Sequence, residues 1–264
     1  MISDDLMNEL QELMETGDYS AVVKRLRKLQ SKGESDAELE AFLGVALEEA
    51  GDLDGAVSAY RKAIQLDPED IDSHYSLADI LFEQDQPVES LALYEKIIKT
   101  FSDQAEAEIS IGLVYFSQDR IDEAIQSYQR GLKIDPDSVF GLNALGDAQF
   151  AKGDMPMALE TFRRVIEIEP DDAQAYFNLA EIYYDIDDLK TAETYCQESI
   201  KRDPGFAYAY LTLGNIHLDR DNVREALQAF QQFLSLENSP AAKDIRSEVA
   251  AVVEGLMGEL GAKS

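Results

Sequence analysis

Cysteine is nearly absent. Cys196 stands alone, so no internal disulfide can form and a disulfide-stapled scaffold is excluded. No run of about 18 apolar residues occurs, so no segment reads as a membrane-spanning helix. The opening Met1-Ile2-Ser3-Asp4-Asp5-Leu6 has no basic stretch followed by an apolar one. The expectation is therefore no secretory leader and a cytoplasmic location. Positive charge is scarce: 23 Lys and Arg stand against 53 Asp and Glu, a formal net charge of −30. Charge of that sign repels phosphate backbones and anionic lipid surfaces, which argues against nucleic acid and membrane partners. A Gly-rich phosphate loop, a zinc-ligand cluster and a nucleophile motif are all missing. Carboxylates abound, but no two are set apart as a catalytic pair. The expectation is a chain with no catalytic residue, no cofactor and no metal.

Proline is also sparse, but its placement is regular. Pro68, Pro136, Pro170 and Pro204 fall on one lattice of 34 residues, and Ser102 and Asn238 occupy further lattice points. Counting back within each period gives a small residue every time: Gly44, Ala78, Gly112, Gly146, Ala180 and Gly214. Each follows Leu or Ile. A second small position holds Ala56, Ser90, Ala124, Ala158, Ala192 and Ala226, and a large one holds Tyr60, Tyr94, Tyr128, Phe162, Cys196 and Phe230. The pattern reads as two helices joined by a short turn, typified by Lys152-Gly153-Asp154. Small residues let crossing helix axes approach to about 8 Å, with Gly146 against Ala158 as an expected pair. Large residues at helical spacing fill the space beside the crossing. Proline ends each unit, and the acidic residues after it suit the positive end of the next helix.

These residues resemble the tetratricopeptide repeat family. The segment Ala173-Gln174-Ala175-Tyr176-Phe177-Asn178-Leu179-Ala180-Glu181-Ile182-Tyr183, with Ala192 and Pro204, carries the family's aromatic, Leu, small-residue and Tyr positions. Units are expected at 37–70, 71–104, 105–138, 139–172, 173–206 and 207–240, with a degenerate unit at 3–36. There Gly17 is in phase with Gly51, but Leu10 fills the small-residue position. After Ser239-Pro240, the stripe Ile245, Val249, Val252, Val253, Leu256 and Leu260 reads as a capping helix over 241–260, which an open array needs. Partner binding is the other reading of that stripe. The resemblance implies an all-α, right-handed superhelical solenoid of helix-turn-helix repeats. It also implies that first helices line a concave groove that takes peptides or helices.

Groove positions of the family map onto Glu38, Ala41, Val45, Glu48 and Glu49 in the first full unit, then Tyr75, Asp79, Phe82 and Glu83, with Asp72. They continue as Ile109, Leu113 and Phe116, with Glu106 and Ser117, then Phe140, Asn143, Asp147 and Phe150, with Ala151. The last two units give Phe177, Glu181, Tyr184 and Asp185, with Gln174, then Tyr208, Leu211, Asn215, Leu218 and Asp219. No Lys or Arg occurs in the first thirteen positions of any unit; basic residues gather late in the second helices, as at Arg61-Lys62 and Arg163-Arg164. Helix polarity accounts for part of this near helix ends, but not for Asp79, Asp147 or Glu181 in mid-helix. An acidic groove and a general acidic composition both remain as readings. Inter-repeat packing is expected to take about half of the groove aromatics. The rest would add apolar anchoring and ring faces for cations.

The expected function is a non-catalytic scaffold or adaptor whose acidic, aromatic groove binds a basic or amphipathic segment of a partner protein. The alternative is a chaperone or assembly factor that shields a client before delivery. Self-association through the first unit is left open. Cys196 and His217 occupy packing positions, and Lys24-Arg25-Leu26-Arg27-Lys28 is a solvated helix face or a contact with another copy's groove. Family members that grip acidic chaperone tails use groove cations; Asn143 and Asn215 could supply polar members, but the cations are missing. Calorimetric titration with an acidic C-terminal chaperone peptide is therefore expected to show no binding in the groove, and micromolar affinity there would overturn this.

Overall fold

The helix boundaries keep the interval of the prolines. In the computed structural model, which describes residues 4–33 and 36–262, every full unit holds one helix of 13 residues and one of 14. Residue 3, where the first unit was expected to start, and residues 34–35 at its close lie outside the described residues, as do Met1 and Ile2. In chain order the helices are α1 Asp4–Glu15, α2 Tyr19–Gln30, α3 Ala37–Glu49, α4 Leu53–Leu66, α5 Ile71–Glu83, α6 Pro87–Thr100, α7 Ala105–Ser117 and α8 Ile121–Ile134. They continue as α9 Val139–Ala151, α10 Met155–Ile168, α11 Ala173–Asp185, α12 Leu189–Arg202, α13 Ala207–Asp219, α14 Val223–Leu236 and, after a short 3-10 turn at Pro240–Ala242, α15 Lys243–Ala262. The fold is all-α, with no strand among the described residues. Met1–Ile134 and Asp135–Ser264 form two compact bodies. Within each body a second helix packs on its own first helix and on the first helix of the next unit.

Turn chemistry explains why the boundaries recur. The second residue after each first helix enters the left-handed region: Gly17, Gly51 and Gly153 do so, and Asp85, Asp119, Asp187 and Asp221 do so at the same place in their units, with φ of 58–83°. The following two amides then close on the helix. Gly51 N–H donates to Glu48 O, and Asp52 N–H donates to Leu47 O at 2.8 Å, the paired bonds that satisfy a helix's last carbonyls. The next helix begins on a side-chain cap. Asp18, Asp36, Asp52, Asp70, Asp154, Asp172 and Asp188 each accept a backbone N–H three residues ahead, worth about 1 kcal/mol apiece. Much of the acidic excess is thus spent at helix ends.

The core of four of the pairs is a ring laid on a missing side chain. A Cβ built on Gly44, Gly112, Gly146 or Gly214 would lie 2.4–2.6 Å from the ring of Tyr60, Tyr128, Phe162 or Phe230. The room left by Gly146 is occupied by the ring of Phe162, four residues beyond the fully buried Ala158. Where Ala180 replaces glycine, the ring is replaced by the smaller Cys196, and both are fully buried. In the first pair, Leu10 and Leu26 share the site at 0% and 1% exposure; two middle-sized side chains stand in for a small and a large one.

The chain's last helix covers the last repeat. Val249, Val253 and Leu256 of α15 are buried with Ala207, Ala226, Phe230 and Phe233, and Ile245 packs beside them. Val252, expected in the same stripe, is instead 38% exposed. No helix among the described residues is long and apolar enough to cross a membrane.

Gly146→Val should lower stability by about 2–3 kcal/mol, the usual cost of forcing volume into a packed core. Asp119→Gly should change it by less than about 0.5 kcal/mol, since relief of the left-handed backbone is offset by a freer unfolded chain. Urea denaturation reads both.

Candidate partner-binding surface

The first helices α1, α3, α5, α7, α9, α11 and α13 contain no Lys or Arg. Among the described residues, second helices supply cations to some of their acids. Lys62 pairs with Glu40, and Arg130 Nε with Glu108 at 2.8 Å; both acids sit at the fourth position of their unit, on the side facing the second helix. The acids placed in the groove set behave otherwise. Among the described residues, Asp79, Glu83, Asp147, Glu181, Asp185 and Asp219 form no ion pair.

In the first body, Glu38, Glu49, Asp72, Glu83, Glu106 and Ser117 are exposed, and Val45 is 39% exposed. Ala41 and Glu48 are half-buried, and Glu48 accepts the Tyr60 hydroxyl at 2.8 Å. Asp79 accepts the hydroxyl of Tyr94, and burial of its surroundings raises its carboxyl above the usual range. Tyr75 is half-buried, tilted against Tyr94, and its hydroxyl donates to Gln104 at 3.0 Å. Burial pushes that phenol up to about 12. Phe82 packs against the core of α5–α7, while Leu113 and Phe116 are half-buried. Ile109 is not on the surface: at 2% exposure it belongs to the core, because a Cβ on Gly131 would meet it at 2.8 Å, which places its side chain against α8. It is removed from the groove set.

In the second body, Phe140 is 57% exposed and Tyr208 39% exposed, the latter edge-on to Phe233. Phe177 packs on Phe206 at 5.1 Å, and Phe150 is half-buried. Leu211 joins the cluster beneath α15, Asn215 is half-buried, and Leu218 is at the edge of exposure. Ala151 and Gln174 are exposed. The acids are tied across the repeat. Thr212 donates to Glu181 at 2.6 Å, Asn178 to Asp147 at 3.4 Å, and the Tyr184 hydroxyl to Asp219 at 2.8 Å; Asp185 has no such tie. Desolvation raises Glu181 and pushes Asp147 up to about 6.

Asn178 and Thr212 stand at one position of successive units and bond the ninth-position acid of the unit before. From the fifth position, Asn143 donates to Asp172 at 3.4 Å and Tyr75 to Gln104 at 3.0 Å, each partner closing the same unit. The Asn178 and Thr212 bonds cross from one repeat to the next. The signal lies in the spacing, since a polar residue about 30 positions beyond a groove acid faces it.

The remaining candidates are packing groups. Cys196 is fully buried and its thiol is pushed up to about 12 by burial, which leaves no thiolate to react. His74 is buried, its Nδ1 2.8 Å from Asp70 O, and His217 is half-buried. No group of three metal-ligating side chains is found among the described residues. In the basic cluster, Leu26 is buried, Arg25 pairs with Glu9 and Arg27 with Asp52, and Lys24 and Lys28 are exposed.

These features have counterparts in known proteins. The model described as "TPR repeat" matches residues 44–85, 112–153 and 146–187, and that described as "Tetratricopeptide repeat" matches 173–206 and 207–240. The chain belongs to the tetratricopeptide repeat family, whose members mediate protein–protein interactions. No curated protein matches the sequence significantly. A tetratricopeptide repeat protein from Parabacteroides merdae has a similar fold, with TM-score 0.72, 18% identity, and coverage of 96% of this chain and 98% of that one. Cut9, in the APC/C hetero-tetramer Cut9–Hcn1, gives TM-score 0.66 and 16% identity over 91% of this chain, which spans 48% of the matched chain. YrrB, titled a TPR protein with an unusual peptide-binding site, gives TM-score 0.56 and 23% identity over 69% of this chain and 94% of its own. At these identities the likeness is one of fold.

The raised Asp147 has a sign that can be checked. Between about pH 4 and 6 the folded chain holds a proton there that the unfolded chain does not, so this residue's contribution to stability falls as pH rises through that window. Asp147→Asn should therefore be more stable than the parent at pH 7.5 and lose that advantage near pH 4, as read by denaturation at the two values.

Proposed function

We propose that the chain is a non-catalytic interaction scaffold whose first-helix face captures a basic or amphipathic segment of a partner protein. The observation that carries the reading is the separation of charge. Seven first helices have no cation of their own, and the acids on the groove positions have no ion-pair partner while those at the fourth position do. Asp147 and Glu181 lie in mid-helix, beyond the reach of the helix dipole. Exposed rings at Phe140 and Tyr208 supply apolar contact at about 25 cal/mol per Å² beside those carboxylates. Partner cations would meet acids that are fixed in place by Thr212, Asn178 and Tyr184, so little side-chain freedom is lost on binding. Encounter would be fast and sensitive to salt.

The test is an affinity pull-down at low and high ionic strength, with Asp147→Lys plus Glu181→Lys as the control. Partners should be lost at high salt and with the charge-reversed chain. Retention under both conditions would remove the electrostatic basis of the proposal.

A further inference from the structure

The repeats serve as one another's controls. At the second position of the unit the first three full repeats place the acids Glu38, Asp72 and Glu106, and at the fifth position the apolar or aromatic Ala41, Tyr75, Ile109, Phe177 and Leu211 recur. Helix α9 inverts this order. Phe140 stands outside at 57% exposure, and Asn143 stands inside, its Oδ1 buried without a hydrogen bond. Five other repeats build the same pair of helices without the inversion, so the scaffold does not require it.

The inverted residues border an open cleft of about 850 Å³, whose far wall is Glu169, Pro170, Asp171 and Asp172. That wall is held. Asp172 caps α11 through the Ala175 N–H and accepts Asn143 Nδ2, while Arg202 Nε donates to Pro170 O at 2.6 Å. Arg202 is itself engaged by Glu198 and the Tyr176 hydroxyl, so it does not fill the cleft. Ser138 and Asp172 cap α9 and α11 through the Gly141 and Ala175 N–H groups. Glu169 and Asp171 are exposed and form no ion pair among the described residues.

We infer that this cleft is a pocket for an arginine side chain of the partner: the guanidinium lies on the Phe140 ring and bonds Asp171, with Asn143 acting as a positioning residue for Asp172. A planar, delocalised cation suits a ring beside a carboxylate better than a compact, strongly hydrated ammonium does. The inference rests on the reading that the first-helix face takes a basic partner, and it names one residue of that partner.

The test is titration of the full ¹⁵N-labelled chain with N-acetyl-arginine-N-methylamide, and with the lysine and citrulline analogues, following backbone amide shifts. The arginine probe should shift Phe140, Asn143 and Asp171, bind about threefold more tightly than the lysine probe, and leave citrulline without effect. Phe140→Ala, a change at an exposed residue, should weaken the arginine probe about two- to fivefold with helix content unchanged. Equal shifts from arginine and citrulline, or full retention in Phe140→Ala, would overturn the pocket. Shifts confined to Asp147, Glu181 and Asp185 would overturn it too while leaving the acidic-face reading standing; that reading fails separately, in the pull-down.

Discussion

Four of the helix pairs depend on one contact, the ring of the second helix resting where the first helix has no side chain. The four glycines involved would each bring a Cβ to within 2.6 Å of the ring they face, well inside contact distance. The ring fixes the crossing of the two helices, and the crossing fixes which residues of the first helix look away from the second. The same geometry places the fourth position against Lys62 or Arg130 and leaves the ninth position, with Asp147 and Glu181, to be met by the next repeat. The electrostatic character of the first-helix face is therefore a downstream result of a steric fit.

Aspartate has three separate jobs in this chain. At Asp52 or Asp154 it caps a helix; at Asp119 or Asp187 it takes a left-handed backbone usually left to glycine; at Asp147 it has neither duty. Net charge alone merges these. An acidic balance of −30 is no evidence for an acidic binding surface until the turn and cap residues are set aside. What remains includes Asp147 and Glu181 of the first helices, which form no ion pair among the described residues.

The period of 34 residues, the helix-turn-helix unit and the large and small positions were legible from proline, glycine and tyrosine alone, because each answers to a local backbone or steric demand. The left-handed aspartates were less so: Asp85 and Asp221 resemble any polar turn residue until the phase is aligned with Gly51. Site residues were legible only as positions. Ile109 shares its position with the half-buried Asn143, yet it is swallowed by α8, since Gly131 opens space beneath it. The cross-repeat bonds from Thr212 and Asn178 depend on how adjacent units dock, which no single repeat encodes.

Helix α15 closes the array with Val249, Val253 and Leu256 against Phe230 and Phe233, and it does so outside the 34-residue rhythm. Length and termination are thus written in different parts of the chain. Gene duplication could lengthen the array by inserting whole periods upstream of Ser239, each new pair inheriting ready-made neighbours. A period inserted after Ser239 would instead have to displace α15 from Phe230 and Phe233.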